Sequence, residues 1–251
     1  AINETYFLLH GTPRMDFDKA VPARQFMMDW TTKVDDRIPD AVLIISAHWD
    51  TRDPTITAVD RCDTIYDFYG VPSPLYKYPA PGAPQLAKKV QELLTQAGYK
   101  NVKLDTKRGL DHGAWMPLML MYSKADVPIC QLSIQTNQDA VHHYNMGQAI
   151  SSLKQQGVLI IGCGSSTHPG CFLSELRGAV ARFDRWLERS LVGGSYGDVI
   201  DYGRKDADPR SDHLYPLHVA MGAAGADNKA ELIHRSKCSV GFTYSFFKFT
   251  S

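Results

Sequence analysis

The chain has 251 residues, of which 44% are hydrophobic and 22% charged, and this is enough to bury the core of one large domain. Its 27 basic and 27 acidic side chains cancel, which argues against nucleic acid or an anionic membrane as the main partner, because both usually require a basic excess. No apolar run approaches the ~20 residues of a membrane helix, so we predict a cytoplasmic protein with a single domain over residues 1–251.

Four short apolar runs predict buried β-strands. Their apolarity is continuous rather than alternating, which is typical of strands covered on both faces, as in a parallel sheet. The runs are Tyr6–Leu9, Ala41–Ser46, Val127–Ile134 and Gly157–Ile161.

The segments between and after these runs have apolar residues at helical spacing. Apolar residues at helical spacing predict helices over Pro84–Ala97, Met146–Leu153 and Leu176–Leu191, and Gly98 supplies a stop for the first of them. Because strands and helices alternate, we predict an α/β sandwich in which a central, largely parallel sheet is flanked by helices.

The C-terminal quarter of the chain carries three further signals. The Gly193–Ser211 segment is rich in glycine, aspartate and arginine, which indicates a mobile surface segment. The following residues, His213–Ala224, predict a helix closed by Gly225. Alternating aromatic residues from Phe242 to Phe246 predict a half-exposed or edge strand.

Three histidines follow predicted strands at equivalent places. His10 comes directly after the first apolar run, His48 follows the second after Ala47, and His168 comes shortly after the fourth. Each alone could be a hydrogen-bonded loop residue. Ligands bind at the carboxyl ends of the strands in open α/β sheets, so the shared location of the three imidazoles predicts a site at this edge.

Imidazole is the commonest side-chain ligand for a borderline metal ion. His10 and His48 are the first two predicted ligands, and either Asp212 or His213 could supply the third. Three ligands with open positions are typical of non-haem Fe(II) oxygenases. Zinc hydrolases use a similar set, so the ligand types leave the metal open.

A further histidine, His112, lies between Asp111 and Gly113 at the start of an apolar run. It is either an aspartate-supported histidine that faces a pocket, or a surface residue beside a helix-capping Asp111. The remaining histidines have no comparable setting and are predicted to be structural: His142, His143, His218 and His234.

Other site types receive little support from the sequence. The five cysteines are scattered without a Cys-x-x-Cys pair, which predicts reduced thiols rather than a disulfide or zinc framework. The Gly162–Ser166 turn resembles a nucleotide-binding loop only loosely, since Thr167 replaces the third glycine.

Six motifs in order along nearly the whole chain resemble those of the class III extradiol ring-cleavage dioxygenases of the LigB superfamily, and within it the plant DOPA 4,5-dioxygenase-like branch. They are Leu9-His10-Gly11-Thr12-Pro13, Ser46-Ala47-His48-Trp49, Ile65-Tyr66-Asp67-Phe68, Tyr78-Pro79-Ala80-Pro81-Gly82, Gly109-Leu110-Asp111-His112-Gly113-Ala114-Trp115 and His213-Leu214-Tyr215-Pro216-Leu217-His218.

The resemblance implies a role for each site histidine. His10, His48 and His213 correspond to the metal ligands, His168 to the catalytic acid/base, and His112 to a histidine that faces the substrate. The implied metal is Fe(II), although some members place zinc on the same residues, with the equivalent of His168 close enough to be a fourth ligand.

The resemblance and the site predict one chemistry, in which Fe(II) and O2 cleave a catechol ring beside its hydroxyls. With DOPA the product would be 4,5-seco-DOPA, the precursor of betalamic acid. The expected partners are a small-molecule catechol and O2, with no nucleic acid and no membrane, and the expected assembly is a monomer or small homo-oligomer. The alternatives are a zinc-dependent hydrolase on the same histidines and a non-catalytic, metal-stabilised binding protein.

Overall fold

The computed structural model describes residues 1–9, 19–68, 76–164, 174–205, 211–237 and 243–251. In these ranges the strands are β1 (Glu4–Leu9), β2 (Ala41–Asp50), β3 (Thr55–Thr57), β4 (Lys103–Asp105), β5 (Ile129–Ile134), β6 (Val158–Gly164), β7 (Lys229–Lys237) and β8 (Thr243–Thr250). The helices are α1 (Pro22–Met28), α2 (Pro84–Gln96), α3 (His112–Met121), α4 (Ala140–Ile150), α5 (Ser174–Val192), α6 (Tyr196–Lys205) and α7 (Tyr215–Ala224). A short π-helix at Trp30–Val34 and two short 3-10 helices at Ser151–Gln156 and Ser211–Leu214 complete the described elements.

The strands form one sheet in the order β4-β3-β5-β2-β6-β1-β8-β7. Its centre is parallel, because β5, β2, β6 and β1 pair in the same direction. The carboxyl ends of these four strands therefore meet at one edge. Antiparallel pairing adds β8 and β7 on one side and β3 on the other. The predicted α/β fold with a largely parallel central sheet is confirmed.

Side chains alternate between two covered faces of the sheet. On β2, Val42 and Ile44 face a core shared with α1 and α3. Leu43 and Ile45 face the opposite side, where α2, α4 and α7 pack. All four side chains are fully buried, which explains why their strand reads as a continuous apolar run.

Helix α7 approaches the sheet unusually closely. A Cβ atom at Gly162 would lie 2.2 Å from the carbonyl oxygen of Pro216, and one at Gly164 would lie 2.0 Å from that of His213. Any side chain at either position would therefore collide with backbone. The two glycines of β6 allow the segment that leads into α7 to lie directly against the sheet.

One prediction for the C-terminal quarter is wrong. The strand containing Tyr244 and Phe246 was expected at an edge, but β8 lies between β1 and β7 and both rings are fully buried. The additional strand β7 went unpredicted because it is charged and half-exposed. Within the expected mobile segment, Tyr196–Lys205 forms α6 and Val199 is buried, while 206–210 and Phe242 lie outside the described residues.

The histidines expected to be structural have protein partners. The backbone N–H of Gln135 donates to Nε2 of His143 over 3.1 Å, and Nδ1 of His143 lies 2.7 Å from the carbonyl oxygen of Asp139. The imidazole of His143 also stacks on Tyr215 at 4.1 Å. Nε2 of His218 lies 3.3 Å from the carbonyl oxygen of Val199.

Burial disfavours the charged form of both rings and lowers the pKa of His143 to about 3 and that of His218 to about 4. His142 and His234 are also partly buried, with lowered pKa values for the same reason. His234 packs against Phe26 and Phe246 in a cluster of three rings. Among the described helices, none combines the length and apolarity required to cross a lipid bilayer.

The buried neutral histidines predict a loss of stability in acid. The folded-state pKa values lie below the ordinary 6.5, so the unfolded chain binds more protons as the pH falls below that value. The stability due to the neutral rings is complete above pH 6.5 and declines towards pH 4 and then 3. Each ring contributes a slope of up to about 1.4 kcal/mol per pH unit in that window.

We expect His143→Gln to flatten the pH dependence of the free energy of unfolding below pH 6.5, because glutamine does not titrate. Urea denaturation at a series of pH values measures the slope. His142→Gln, which changes a half-buried ring, should flatten it less. Equal slopes for wild type and His143→Gln would contradict the assignment of a buried neutral imidazole.

Candidate active site

His48 lies near the carboxyl end of β2, which continues to Asp50 and so extends past the predicted strand. The pairing of β2 with β5 shifts register between Ile45 and Asp50. Such irregularities redirect side chains at the rim of a sheet. The imidazole of His48 is partly buried at this rim.

Three of the five predicted site histidines converge. His213, in the turn before α7, lies edge-on to His48, with ring centroids 5.3 Å apart and an interplanar angle of 81°. The centroids of His48 and His112 are 4.0 Å apart. His10 and His168 lie outside the described residues, as does the side chain of Asp212. The strands that precede His10 and His168, β1 and β6, end at the same rim as β2.

The carboxylate beside His112 is that of Asp67, which neither composition nor strand position marks as a site residue. Oδ1 of Asp67 lies 2.9 Å from Nδ1 of His112 and also accepts the backbone N–H of His112 over 2.9 Å. Burial raises the pKa of Asp67, but the hydrogen bonds from His112 outweigh it, and the net pKa lies below the usual range. Only the motif Ile65-Tyr66-Asp67-Phe68 could have singled out this residue.

Asp111 has a different function from both predicted alternatives. It precedes α3 at the capping position, but its side chain makes no capping hydrogen bond. Its fully buried carboxylate instead accepts hydrogen bonds from Ser46 Oγ over 2.7 Å and Gln131 Nε2 over 2.5 Å, and lies 3.4 Å from Arg108. Ser46 Oγ in turn accepts the backbone N–H of His48 over 3.2 Å.

These contacts correct the prediction for the Asp111-His112 pair. Asp111 stabilises the strand end that carries His48 rather than the neighbouring imidazole. His112 is not a surface residue, since it is 5% exposed. An aspartate does lie beside the imidazole of His112. It is Asp67, from a distant loop, and not the neighbouring Asp111.

Aromatic side chains pack beside His112. Phe68 lies edge-on to the imidazole with centroids 5.3 Å apart, and it also contacts Trp115 at 6.0 Å. Trp115 is fully buried, and its Nε1–H donates to the carbonyl oxygen of Ile65 over 2.9 Å. This hydrogen bond ties the loop that carries Asp67 and Phe68 to α3.

The donor set suits a divalent transition metal. Imidazole nitrogens and carboxylate oxygens are the ligand types that Fe(II) and zinc accept. His48, Asp67 and His112 place one ligand atom each within 4.8 Å of one another. The predicted set His10, His48 and His213 shares His48 with this group.

Gly113 is required for the contact between α3 and β2. A Cβ atom there would lie 2.3 Å from Ser46 Oγ and 3.0 Å from Cδ2 of His48. We expect Gly113→Ala to break the hydrogen bond between Ser46 and Asp111 and to displace His48. Metal affinity should fall by about 10-fold or more, the usual effect of disturbing the support of a ligand.

Calorimetric titration with Zn²⁺ measures the effect of Gly113→Ala, and circular dichroism tests whether the variant folds. Gly197→Ala is the matched control, because a Cβ atom at this position of α6 meets no atom within 4 Å. Unchanged zinc affinity in a folded Gly113→Ala protein would rule out the proposed dependence of His48 on this close contact.

Comparison with known proteins agrees with this geometry. Residues 5–247 match the family described as the catalytic LigB subunit of aromatic ring-opening dioxygenase. A protein of Beta vulgaris named 4,5-DOPA dioxygenase extradiol is 51% identical over 261 residues, which cover 100% of this chain and 97% of that protein. A protein of the same name from Mirabilis jalapa is 50% identical over 258 residues, which cover 98% and 96% of the two chains.

The fold is also found in a solved structure. The crystal structure of an uncharacterized protein from Escherichia coli K12 superposes with a TM-score of 0.77 at 25% identity and covers 98% of both chains. The family and the fold predicted from the motifs are therefore confirmed. The chain belongs to the LigB family of aromatic ring-opening dioxygenases and is an enzyme of that class.

Proposed function

We propose that the protein is an extradiol dioxygenase that uses non-haem Fe(II) and O2 to cleave the ring of DOPA between carbons 4 and 5. The observation that carries this proposal is the edge-on pair His48 and His213, 5.3 Å apart at the carboxyl ends of the parallel strands. Full-length relatives named 4,5-DOPA dioxygenase extradiol support the choice of substrate. Family membership does not favour a zinc hydrolase or a non-catalytic binding protein.

Three side chains would hold the metal, namely His10, His48 and His213. Imidazole ligands with open positions suit Fe(II), and zinc could occupy the same residues in purified protein. When bound, the metal supplies neighbouring positions for the catechol oxygens and O2 and conducts electrons between them.

The protein's own groups would bind the substrate and move its protons. His168 would accept a proton from a catechol hydroxyl and return one later, since an imidazole with an ordinary pKa of ~6.5 can do both near neutrality. His112, 5% exposed and held by Asp67, would hydrogen-bond a substrate oxygen as negative charge develops. Phe68 offers an apolar surface beside His112 for an aromatic ring.

Cleavage beside the hydroxyls of DOPA gives 4,5-seco-DOPA, which cyclises to betalamic acid. The open-chain product is a muconic semialdehyde, and its conjugation should make it absorb visible light. We further propose that the whole chain acts as one cytoplasmic domain, as a monomer or small homo-oligomer. Its partners would be a small catechol and O2, with no nucleic acid and no membrane.

Oxygen consumption tests the proposal directly. Fe(II)-loaded protein, kept anaerobic and then mixed with DOPA in aerated buffer, should consume O2 in equimolar amounts and form a yellow product. His48→Ala should abolish both, because it removes a predicted ligand. Absence of O2 uptake and of colour with DOPA and with a panel of other catechols would eliminate the proposal.

The role of His168 has its own test. We expect His168→Ala to abolish turnover while iron is largely retained, because an acid/base group is not needed to hold the metal. Turnover and iron content are measured on the same preparation. A fully active His168→Ala enzyme would remove the residue from its role, and loss of iron would make it a ligand instead.

A further inference from the structure

His143 closes the loop that follows β5 at the rim of the sheet. The backbone N–H of Gln135, the residue directly after this strand, donates to Nε2 of His143 over 3.1 Å. Nδ1 of the same ring lies 2.7 Å from the carbonyl oxygen of Asp139, the residue before α4. Because a carbonyl oxygen can only accept, Nδ1 is the donor. The imidazole is fully buried and cannot rotate without losing one of these hydrogen bonds.

Tyr215 packs on this closed loop through two contacts. Its ring stacks on the imidazole of His143, with centroids 4.1 Å apart and an interplanar angle of 10°. Its hydroxyl donates to the carbonyl oxygen of Gln138, in the same loop, over 2.9 Å. Tyr215 is the first residue of α7 and is buried. The loop after β5 and the start of α7 therefore hold each other in place.

The turn that carries His213 ends directly before Tyr215. On the side of β6 it packs against backbone, since a Cβ atom at Gly164 would lie 2.0 Å from the carbonyl oxygen of His213. A segment that is held at one point can still pivot about that point. The contacts of Tyr215, two residues after His213, supply a second fixed point.

We propose that His143 is a positioning residue for the metal site: through its stack on Tyr215 it holds the turn that carries His213, so that the imidazole of His213 reaches the ion beside His48. This inference rests on the proposed function, which names His213 as a ligand. It assigns a role to a histidine that the sequence predicted to be only structural, and neither the family description nor the names of the relatives specify that role.

A purely structural role for His143 makes a different prediction. Helices α4 and α7 also pack closely elsewhere, since a Cβ atom at Gly147 would lie 2.1 Å from the carbonyl oxygen of Val219. If His143 only contributes to this packing, its loss should act like the loss of any other buried side chain of α4. Ile150 provides the comparison, because it is fully buried in the same core cluster as Tyr215 and lies about two helical turns from His143.

Calorimetric titration of the metal-free protein with Zn²⁺ compares the two substitutions. We expect His143→Ala to lower the zinc affinity by about 10-fold or more, the usual effect of removing the support of a ligand. Ile150→Ala should lower the thermal midpoint, because it leaves a cavity. It should change the zinc affinity by less than about 2-fold, because distant sites without shared partners act independently. Equal losses of zinc affinity in the two variants would overturn the proposal.

His143→Phe separates the stack from the hydrogen bonds. Phenylalanine retains a flat ring to pack on Tyr215, but it leaves the buried N–H of Gln135 without its acceptor, so the thermal midpoint should fall. The zinc affinity lost in His143→Ala should nevertheless be largely recovered, because the ring is the part of His143 that contacts Tyr215. Zinc binding as weak as that of His143→Ala would show that the stack does not carry the effect.

A double-mutant cycle tests whether His143 acts through Tyr215. In a Tyr215→Ala background, His143→Ala should lower the zinc affinity by less than about 2-fold, because the ring through which it acts is already absent. Circular dichroism confirms that each variant folds. A full, additive loss of zinc affinity in this background would refute the proposed route from His143 to His213.

Cobalt(II) provides a spectroscopic readout that a loss of stability does not move. The visible absorption of bound Co²⁺ depends on the number and geometry of its ligands. The spectra of His143→Ala and His213→Ala should therefore differ from the wild-type spectrum, and that of Ile150→Ala should not. A wild-type spectrum for His143→Ala, with a changed one for His213→Ala, would overturn this inference alone. If His213→Ala binds zinc and cobalt as the wild type does, the proposed ligand set fails together with this inference.

Discussion

The site depends on close backbone packing between two glycines of β6 and the segment that leads into α7. Positions 162 and 164 are glycines, and Cβ atoms there would lie 2.2 Å and 2.0 Å from the carbonyl oxygens of Pro216 and His213. Protein interiors are too closely packed to absorb such overlaps. Because positions 162 and 164 carry no side chains, His213 can lie beside His48, which β2 brings to the same rim.

Two carboxylates support this arrangement from different depths. Asp111 is fully buried, and a buried charge is tolerable only when donors surround it. Ser46, Gln131 and Arg108 supply those donors and thereby fix the end of β2 that carries His48. Asp67 lies nearer the solvent and contacts His112 directly. The deeper carboxylate stabilises the end of β2, and the shallower one contacts a buried ring that packs on His48.

The sequence predicted the parts of the fold that depend on local pattern. Continuous apolar runs located β1, β2, β5 and β6, since strands buried on both faces have no polar side to interrupt the pattern. The alternation at Tyr244 and Phe246 suggested an edge, because the charged strand that covers β8 has little hydrophobic signal of its own. The burial of β8 depends on the neighbouring strand β7 rather than on the sequence of β8 alone.

The sequence predicted that His48, His112 and His213 share one rim of the sheet, but not the groups that contact them. Sequence adjacency suggested Asp111 as the support of His112, but the two consecutive side chains contact different groups. Asp67 comes from a loop whose position is set by tertiary contacts, such as the Trp115 hydrogen bond to Ile65. The Gly162-Cys163-Gly164 pattern resembled a nucleotide loop, yet the structure gives its glycines a packing function.

The location of the bound metal tests the central claim most directly. An anomalous difference map from crystals of zinc- or iron-loaded protein should show one strong peak at ~2.0–2.2 Å from imidazole nitrogens of both His48 and His213. Asp67 should remain hydrogen-bonded to His112. A peak ligated by His48, His112 and Asp67, with His213 out of bonding range, would contradict the account.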